Sequence, residues 1–451
     1  MKKKILLLIL IFPWLFFGQE KQPKVGLVLS GGGAKGFAHI GILKGIDKAG
    51  IQIDYIGGTS MGAIIGGLYA AGFSANQIET IVTETDFVAV LRDKLPRSTS
   101  PFFEKEYLEK TKITLPVNKG KVGLPKAVSR GQNVLNFLFE LLDSTEDVDD
   151  FSKLPIPFFC IATDVENGEE VLLEKGSLPL ALRASGSFPT LLDPVILDDK
   201  LLIDGGVANN FPVSIMKSKG VDIIIGVDVE GKLYEKEKLT SVIAILNQIV
   251  SYQMYRKSSE EREKLDVYIH PDILKYNVVD FDKKDEILKE GEEVAKKYRE
   301  IFKEIATKQI IKKKKIPLKI NTGRKYISKI NITGNNHYTR AYVLGKLKIK
   351  ISDSVSRQEI SKKIHLLSAT KNYDRIEYQF KQQADKSYHL NFTLEESKDK
   401  ATLSLGAHYD FLYKSGVLVN YSQKHLFVEN DLLSLDVILG DNLRYNLNYF
   451  V

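Results

Sequence analysis

The chain has 451 residues, 43% hydrophobic and 27% charged, an ordinary globular balance that points to about two to four domains. Its one cysteine, Cys160, excludes an internal disulfide and a thiolate metal cage. The net charge of +7 is modest and no nucleic-acid motif accompanies it, so no nucleic-acid partner, metal or cofactor is expected.

The chain opens on "MKKKILLLILIFPWLFFGQE", a lysine cluster, an apolar run and then a small residue. This is the pattern of a secretory signal peptide over 1–18, cut near Gly18. The alternative, a membrane anchor, meets a run that is short for a span and contains Pro13. No cysteine follows, which argues against a lipoprotein.

Between 24 and 230, short apolar runs alternate with helical patterns. "KVGLVLS", "IDYIGG", "PFFCIATDV", "LLIDGG" and "DIIIGVDV" read as strands buried on both faces, which predicts an α/β domain with a mainly parallel sheet. Cys160 falls in the third run and reads as core packing. After the first strand comes "GGGAKG". Gly31, Gly32 and Gly33 could converge N–H groups on an anion. One reading is a dinucleotide fingerprint, Gly31-x-Gly33-x-x-Gly36, with Asp54 at the next strand. The favoured reading is an oxyanion hole, because the next strand runs directly into Gly58-x-Ser60-x-Gly62. A P-loop fails, since no Gly-Lys-Ser/Thr follows. Lys35 is either a surface lysine or a cation waiting for an anion.

Gly58 and Gly62 flank Ser60 where a strand turns sharply into a helix. That is a nucleophile elbow, with the hydroxyl presented at a helix N-terminus. A serine needs a base. Before the lysine-rich run near 310 the only histidines are His39 and His270. The order Ser60, Asp204, His270 would suit a triad, but His270 lies well past the sheet pattern, and His39 reads as packing. Asp204, at a strand end before two glycines, is placed in an exposed turn from which it could reach the serine.

Residues 231–307 add amphipathic helix. Ile287, Val294, Tyr298, Ile301 and Ile305 form a stripe read as packing. Lys308, Lys312, Lys313, Lys314, Lys315 and Lys319 then mark a basic segment, a solvated linker at 311–323 or an attractor for anionic lipid. From 324 the style changes. "YISKINITGNN" alternates Ile330 and Ile332 before a Gly-Asn turn; Ser356 and Glu359 make a capping box that opens a helix with Ile360, Ile364 and Leu367 on one face; "DRIEYQF" and "YHLNFTLEE" alternate again. This βααββ order over 324–396 resembles a POTRA domain, the periplasmic module of outer-membrane transporters. Residues 397–451 alternate more strictly still. Leu403, Leu405, Ala407, Tyr409 and Phe411 share one face, while Thr402, Ser404, Gly406, His408 and Asp410 share the other. Three further segments repeat the pattern, as transmembrane β-barrel strands do. Four strands cannot close a barrel, so either the chain is truncated, the favoured reading, or the strands are a small soluble sheet.

"GGGAKG", "GGTSMG" and "DGG", with "ATDVENGE" and "ASGSFP" between the last two, resemble the patatin family of lipid acyl hydrolases over about 24–213. The resemblance implies a domain at 20–310 with Ser60 as nucleophile and Asp204 as general base. It also implies an oxyanion site of Gly31, Gly32 and Gly33 with Lys35. Lys35 stands where many members have arginine, which puts a bidentate grip on phosphate in doubt. A Ser–Asp dyad is a weak base arrangement unless a dry site raises the carboxyl's pKa, and it suits esters better than amides. With the signal peptide, the POTRA-like module and the barrel-like strands, the chain resembles the patatin-like two-domain secretion proteins of Gram-negative outer membranes. Its implied partners are phospholipid or lysophospholipid, the outer membrane and the barrel-assembly machinery. The competing expectation is a non-enzymatic transport or assembly factor whose N-terminal domain only binds lipid or protein.

Overall fold

The computed structural model describes residues 22–95, 111, 113–233, 235–309, 323–411, 414–428 and 431–450. The leader at 1–18 and the lysines at 312–315 and 319 lie outside the described residues.

The run VGLVL forms β1 (Val25–Leu29), buried at every position as a strand covered on both faces must be. A 3-10 turn (Gly33–Phe37) leads into α1 (Ala38–Ala49), β2 (Tyr55–Thr59) and α2 (Met61–Ala70). Then come α3 (Ala75–Glu84), α4 (Phe87–Leu91), a hairpin of β3 (Ile113–Asn118) and β4 (Lys121–Val122), and α5 (Gln132–Leu141). The sheet resumes with β5 (Phe158–Asp164) and β6 (Glu170–Leu173), followed by α6 (Leu178–Ser185), β7 (Val195–Leu197) and β8 (Lys200–Asp204). Next are α7 (Gly206–Asn209), α8 (Val213–Ser218), β9 (Ile223–Val227), α9 (Val242–Arg262), β10 (Val267–Ile269), α10 (Lys284–Lys297) and α11 (Arg299–Lys308).

The strand order is β10-β9-β1-β2-β5-β8-β7, with β6 beside β5. From β10 to β5 the pairings are parallel. Beyond β5 they turn antiparallel, so the sheet is mixed. "LLIDGG", expected as a strand buried on both faces, is β8, where exposure varies along the strand. The reason is local. Asp198 (φ 49°) and Asp199 (φ 60°) turn β7 back onto β8, with the positive φ at both central positions that a type I′ two-residue hairpin needs. The helical stripe also needs correction. The helix breaks at Tyr298, which resets the phase, so Ile301 is exposed and Phe302 enters the core with Ile287, Val294 and Ile305.

The second module holds β11 (Lys325–Thr333), α12 (Arg340–Leu347), β12 (Ser354–Val355), α13 (Arg357–Ser368), β13 (Tyr373–Gln382) and β14 (Tyr388–Glu396). Its sheet runs β12-β11-β14-β13. The capping box forms as expected: Ser356 Oγ accepts from Glu359 N–H, and the Glu359 carboxylate accepts from Ser356 N–H. Ile330, Ile360, Ile364 and Leu367 are buried in its core, which continues into Leu135, Phe139 and Leu180 of the first domain. At this junction Lys325 and Arg357 pair with Asp143 and Glu146, and all four side chains are nearly buried.

The last strands are β15 (Ala401–Asp410), β16 (Lys414–Lys424), β17 (Leu432–Gly440) and β18 (Arg444–Phe450), an antiparallel meander. The register aligns Leu405, Val419, Val437 and Tyr445 across one face, and Ser404, Asn420, Asp436 and Asn446 across the other. The apolar face looks outward: Val417, Leu439, Tyr445 and Leu447 are exposed. Asn420, Ser434 and Asp436 are buried, and Asn420 Nδ2 donates to Ser434 Oγ (2.8 Å) and Asp436 Oδ1 (2.7 Å). A water-soluble sheet would reverse these faces; a lipid-facing one has this polarity. No described helix is long and apolar enough to cross a membrane.

An unforeseen pairing joins the two ends of the molecule. β3, inserted in the first domain, lies antiparallel on the free edge of β15, pairing Val117 with Ala401, Leu115 with Leu403 and Ile113 with Leu405. Its apolar positions thereby continue the outward face, and Thr114 Oγ1 meets Ser404 Oγ at 3.0 Å on the other. Directly opposed residues have Cα atoms about 4.5–5.5 Å apart, within the span of about 4.4–6.8 Å that a disulfide bridges. We therefore expect Thr114→Cys/Ser404→Cys to cross-link under mild oxidation, and Leu115→Cys/Ser404→Cys, which points to opposite faces, to fail. Cys160 is fully buried and will not interfere. Equal cross-linking of both pairs, read by non-reducing electrophoresis, would contradict the register.

Candidate active site

Ser60 sits at the end of β2 and caps α2. Its φ of 54° and ψ of −125° are strained for a residue with a side chain. The neighbouring glycines make that turn possible. A Cβ on Gly58 would lie 2.7 Å from Gly62 O, and one on Gly62 would lie 2.3 Å from Leu29 O. The Ser60 side chain does not cap its helix. It donates instead to Asp204 Oδ2 at 2.5 Å.

Asp204 is the last residue of β8 and is 3% exposed, so the expected exposed turn is a buried one. Its other oxygen accepts from Gly206 N–H (2.8 Å). Burial pushes its carboxyl up to about 6, against the opposing pull of the hydrogen bonds from Ser60 and Gly206. The surrounding segments hold both partners. Ser185 Oγ accepts from Ser60 N–H (3.0 Å), Ser187 carbonyl accepts from Asp204 N–H (2.9 Å), and Thr163 Oγ1 donates to the Asp204 carbonyl (2.9 Å). These residues explain what "ATDVENGE" and "ASGSFP" do: they fix the backbone on either side of the dyad.

Gly31 packs against Ser60; a Cβ there would meet Asn210 Oδ1 at 2.4 Å and Ser60 Cβ at 3.0 Å. Its N–H donates to the Asn210 carbonyl (3.3 Å), and Ala34 N–H donates to the Val278 carbonyl (2.9 Å). Among the described residues this leaves the N–H groups of Gly32 and Gly33 without a protein acceptor. Gly33 has φ +57°, and Val278 O lies where a Cβ would go. Lys35 is buried, not a surface lysine. Burial lowers its pKa, opposed by the charges of Glu230 and Asp228. Glu230 is pushed up to about 7, first by burial and then by Asp228, with Arg262 opposing.

Neither histidine reaches the dyad. His270 Nδ1 donates to the Asp228 carbonyl (2.8 Å), and His270 does not line the cavity. His39 Nε2 donates to the Ser30 carbonyl (2.9 Å), and burial pushes its ring down to about 4. The dinucleotide reading also fails on placement. Asp54 lies at the entry of β2, where it accepts from Val25 N–H (3.0 Å), while the glycines lie past the exit of the parallel neighbour β1.

The sequence reading missed Asp228, the residue that clamps the glycine loop. It accepts from Ser30 Oγ, Glu230 N–H, Arg262 Nε (2.7 Å) and Tyr268 Oη (3.0 Å). Ser30 Oγ in turn accepts from Val229 N–H (2.8 Å). An aspartate directly after the apolar run of β9 was the available signal. Ser60, Asp204, the three glycines and Lys35 open on one cavity of about 380 Å³, whose apolar wall includes Met61, Ile64, Leu182, Phe188, Leu192 and Phe281.

The patatin-like phospholipase family model matches residues 27–217, the surface antigen variable number repeat model (POTRA) matches 325–397, and the OMP85 superfamily model matches 388–451. The chain is 30% identical over 296 residues to lysophospholipase NTE1 of Meyerozyma guilliermondii, covering 59% of this chain and 18% of that one. It is 31% identical over 305 residues to neuropathy target esterase sws of Drosophila melanogaster, covering 61% and 19%. The aligned part is about a fifth of the length of these curated relatives. A crystal structure of VipD from Legionella pneumophila aligns at 16% identity with a TM-score of 0.33, over 62% of this chain and 67% of that one. The chain thus carries a patatin-like phospholipase domain, followed by a POTRA repeat and a segment of the OMP85 superfamily.

Proposed function

We propose that the first domain hydrolyses acyl esters of phospholipids or lysophospholipids with a Ser60–Asp204 dyad, and that the chain is exported and tethered to an outer-membrane barrel. One observation carries the enzymatic reading: the direct 2.5 Å hydrogen bond from a strained serine to a buried carboxyl, on the wall of a largely apolar cavity. A domain that only binds lipid or protein would gain nothing from desolvating a carboxylate beside a backbone-strained hydroxyl. The outward apolar face of β15–β18 and the similarity to OMP85 and POTRA models support the outer-membrane part.

In this mechanism Asp204 takes the Ser60 proton as Oγ attacks the ester carbonyl. The oxyanion accepts hydrogen bonds from Gly32 and Gly33 N–H, with the Lys35 cation near the same cavity wall, and such donors contribute several kcal/mol. The intermediate collapses, the C–O bond to the alcohol breaks, and the departing alcohol takes the proton from Asp204. Water then adds to the acyl-serine, again giving its proton to Asp204. Collapse releases the fatty acid and returns that proton to Ser60. His39 and His270 have no step in this sequence.

Two outcomes test the assignment. The full chain should hydrolyse a short-chain nitrophenyl ester and be labelled at Ser60 by a fluorophosphonate. Ser60→Ala should abolish both. Asp204→Asn should lower kcat by about two to four orders of magnitude, the usual size of a general-base contribution, while His270→Ala keeps most activity. An active Ser60→Ala protein, or an inactive but folded His270→Ala one, would defeat the dyad.

The second outcome concerns pH. Only the Asp204 carboxylate can act as base, so kcat/KM should rise with pH and level off above about 6. The linked stability runs the other way. The folded-state value lies above the ordinary aspartate value of about 3.9, so the native state holds the proton more tightly. This group's favourable contribution is complete below that ordinary value and is lost as pH rises through about 6. An activity profile flat down to about pH 4.5 would contradict a buried base.

A further inference from the structure

Among the described side chains at 245–252 of α9, the polar ones face the protein and the apolar ones face solvent, the reverse of a surface helix in a soluble domain. Gln248, Ser251 and Met254 line the catalytic cavity, and Gln248 is only 6% exposed. Ile245, Ile249 and Tyr252 follow one another at four and three residues, so they form one stripe; they are 46%, 54% and 53% exposed. The stripe does not stand alone. Tyr255, three residues on from Tyr252, lines the cavity and is itself exposed, as are Leu274 and Val279 in the same lining, so the stripe reaches the cavity mouth along the helix.

We propose that this stripe and the adjoining mouth dock on the surface of a phospholipid bilayer, so that an acyl chain passes from the membrane into the cavity without crossing water. The proposal rests on the phospholipid-hydrolase reading for its choice of occupant. The physical argument is continuity. Every methylene of an acyl chain that enters water is unfavourable, and an apolar path from bilayer to serine removes that barrier. A helix lying in the interface buries its apolar face at the headgroup boundary and leaves its other side to the protein. In α9 that other side is the one lining the cavity.

The test separates docking from chemistry. The full chain carrying Ser60→Ala, Trp14→Phe and Tyr252→Trp has one tryptophan, on the stripe. Reconstituted in phosphatidylethanolamine–phosphatidylglycerol vesicles with dibrominated acyl chains, its fluorescence should be quenched relative to unbrominated vesicles. Adding Ile245→Asp and Ile249→Asp should remove the quenching. In the Ser60-intact chain the same two aspartates should lower hydrolysis of vesicle phospholipid about tenfold or more, and leave a soluble nitrophenyl ester within about twofold. An unquenched tryptophan, or full vesicle hydrolysis by the aspartate variant, would overturn the proposal. So would a dimer that the two aspartates dissociate without any lipid quenching, which would assign the stripe to a second copy of the chain. If the Ser60-intact chain hydrolyses neither substrate, the hydrolase reading fails, and the quenching still decides docking.

Discussion

A hydroxyl and a carboxyl touching with nothing between them set the geometric demand that the first domain meets. A serine just past the end of β2 and an aspartate on β8 must approach to hydrogen-bond distance across the intervening strand β5. The register does this. Thr59 pairs with Ile161, and Ala162 pairs with Asp204, so Asp204 lies one step past the level of Thr59, where Ser60 begins its turn. The reversal of β8 is therefore part of the site. The Asp198–Asp199 hairpin makes β8 antiparallel, and its last residue then ends beside the elbow.

That contact is costly to hold. Burying a carboxyl disfavours its charged form, and the positive φ of Ser60 stores backbone strain. The cost is offset by a fixed frame. Ser185, Ser187 and Thr163 bind the backbone of the dyad, while Asp228 binds Ser30 and through it the start of the glycine loop. Arg262, at the end of α9, bridges Asp228 and Glu230. The helix that borders the cavity is thus joined by charge to the glycine loop on the same cavity.

Local signals made much of this legible. Ser60 with Gly58 and Gly62, the glycine run, the Ser356–Glu359 cap and the alternation of β15 each lie within a few residues, and short-range geometry governs them. What escaped was long-range or a matter of sign. "DGG" specifies a turn and not what covers it, so the sequence points to an exposed turn for Asp204 where the structure buries it. Lys35 remained open for the same reason. A single helical phase carried through Tyr298 puts Ile301 in the core, but the helix breaks there and Ile301 is exposed. The cluster of Asp143, Glu146, Lys325 and Arg357 draws on distant points of the chain with no shared pattern.

Those distant contacts decide how the parts act together. Lys325 and Arg357 are buried cations whose only ion-pair partners among the described residues are Asp143 and Glu146 of the first domain. The rings of Phe380 and Tyr378 add favourable faces for the guanidinium. Removing one partner of a buried ion pair costs roughly 3–5 kcal/mol, because the other charge stays buried. Separating the modules would instead rehydrate all four charges, but it would also expose Leu135, Phe139 and Leu180. The second junction differs in kind. β3 on β15 is held by backbone ladder bonds at an exposed strand edge, with only half-buried apolar contacts around it. Edge pairing of this sort can be exchanged for another strand without loss of backbone hydrogen bonds. The ion cluster is therefore the fixed joint between the patatin-like domain and the POTRA module. The β3 pairing is the exchangeable one, seated where the first barrel-like strand offers its edge.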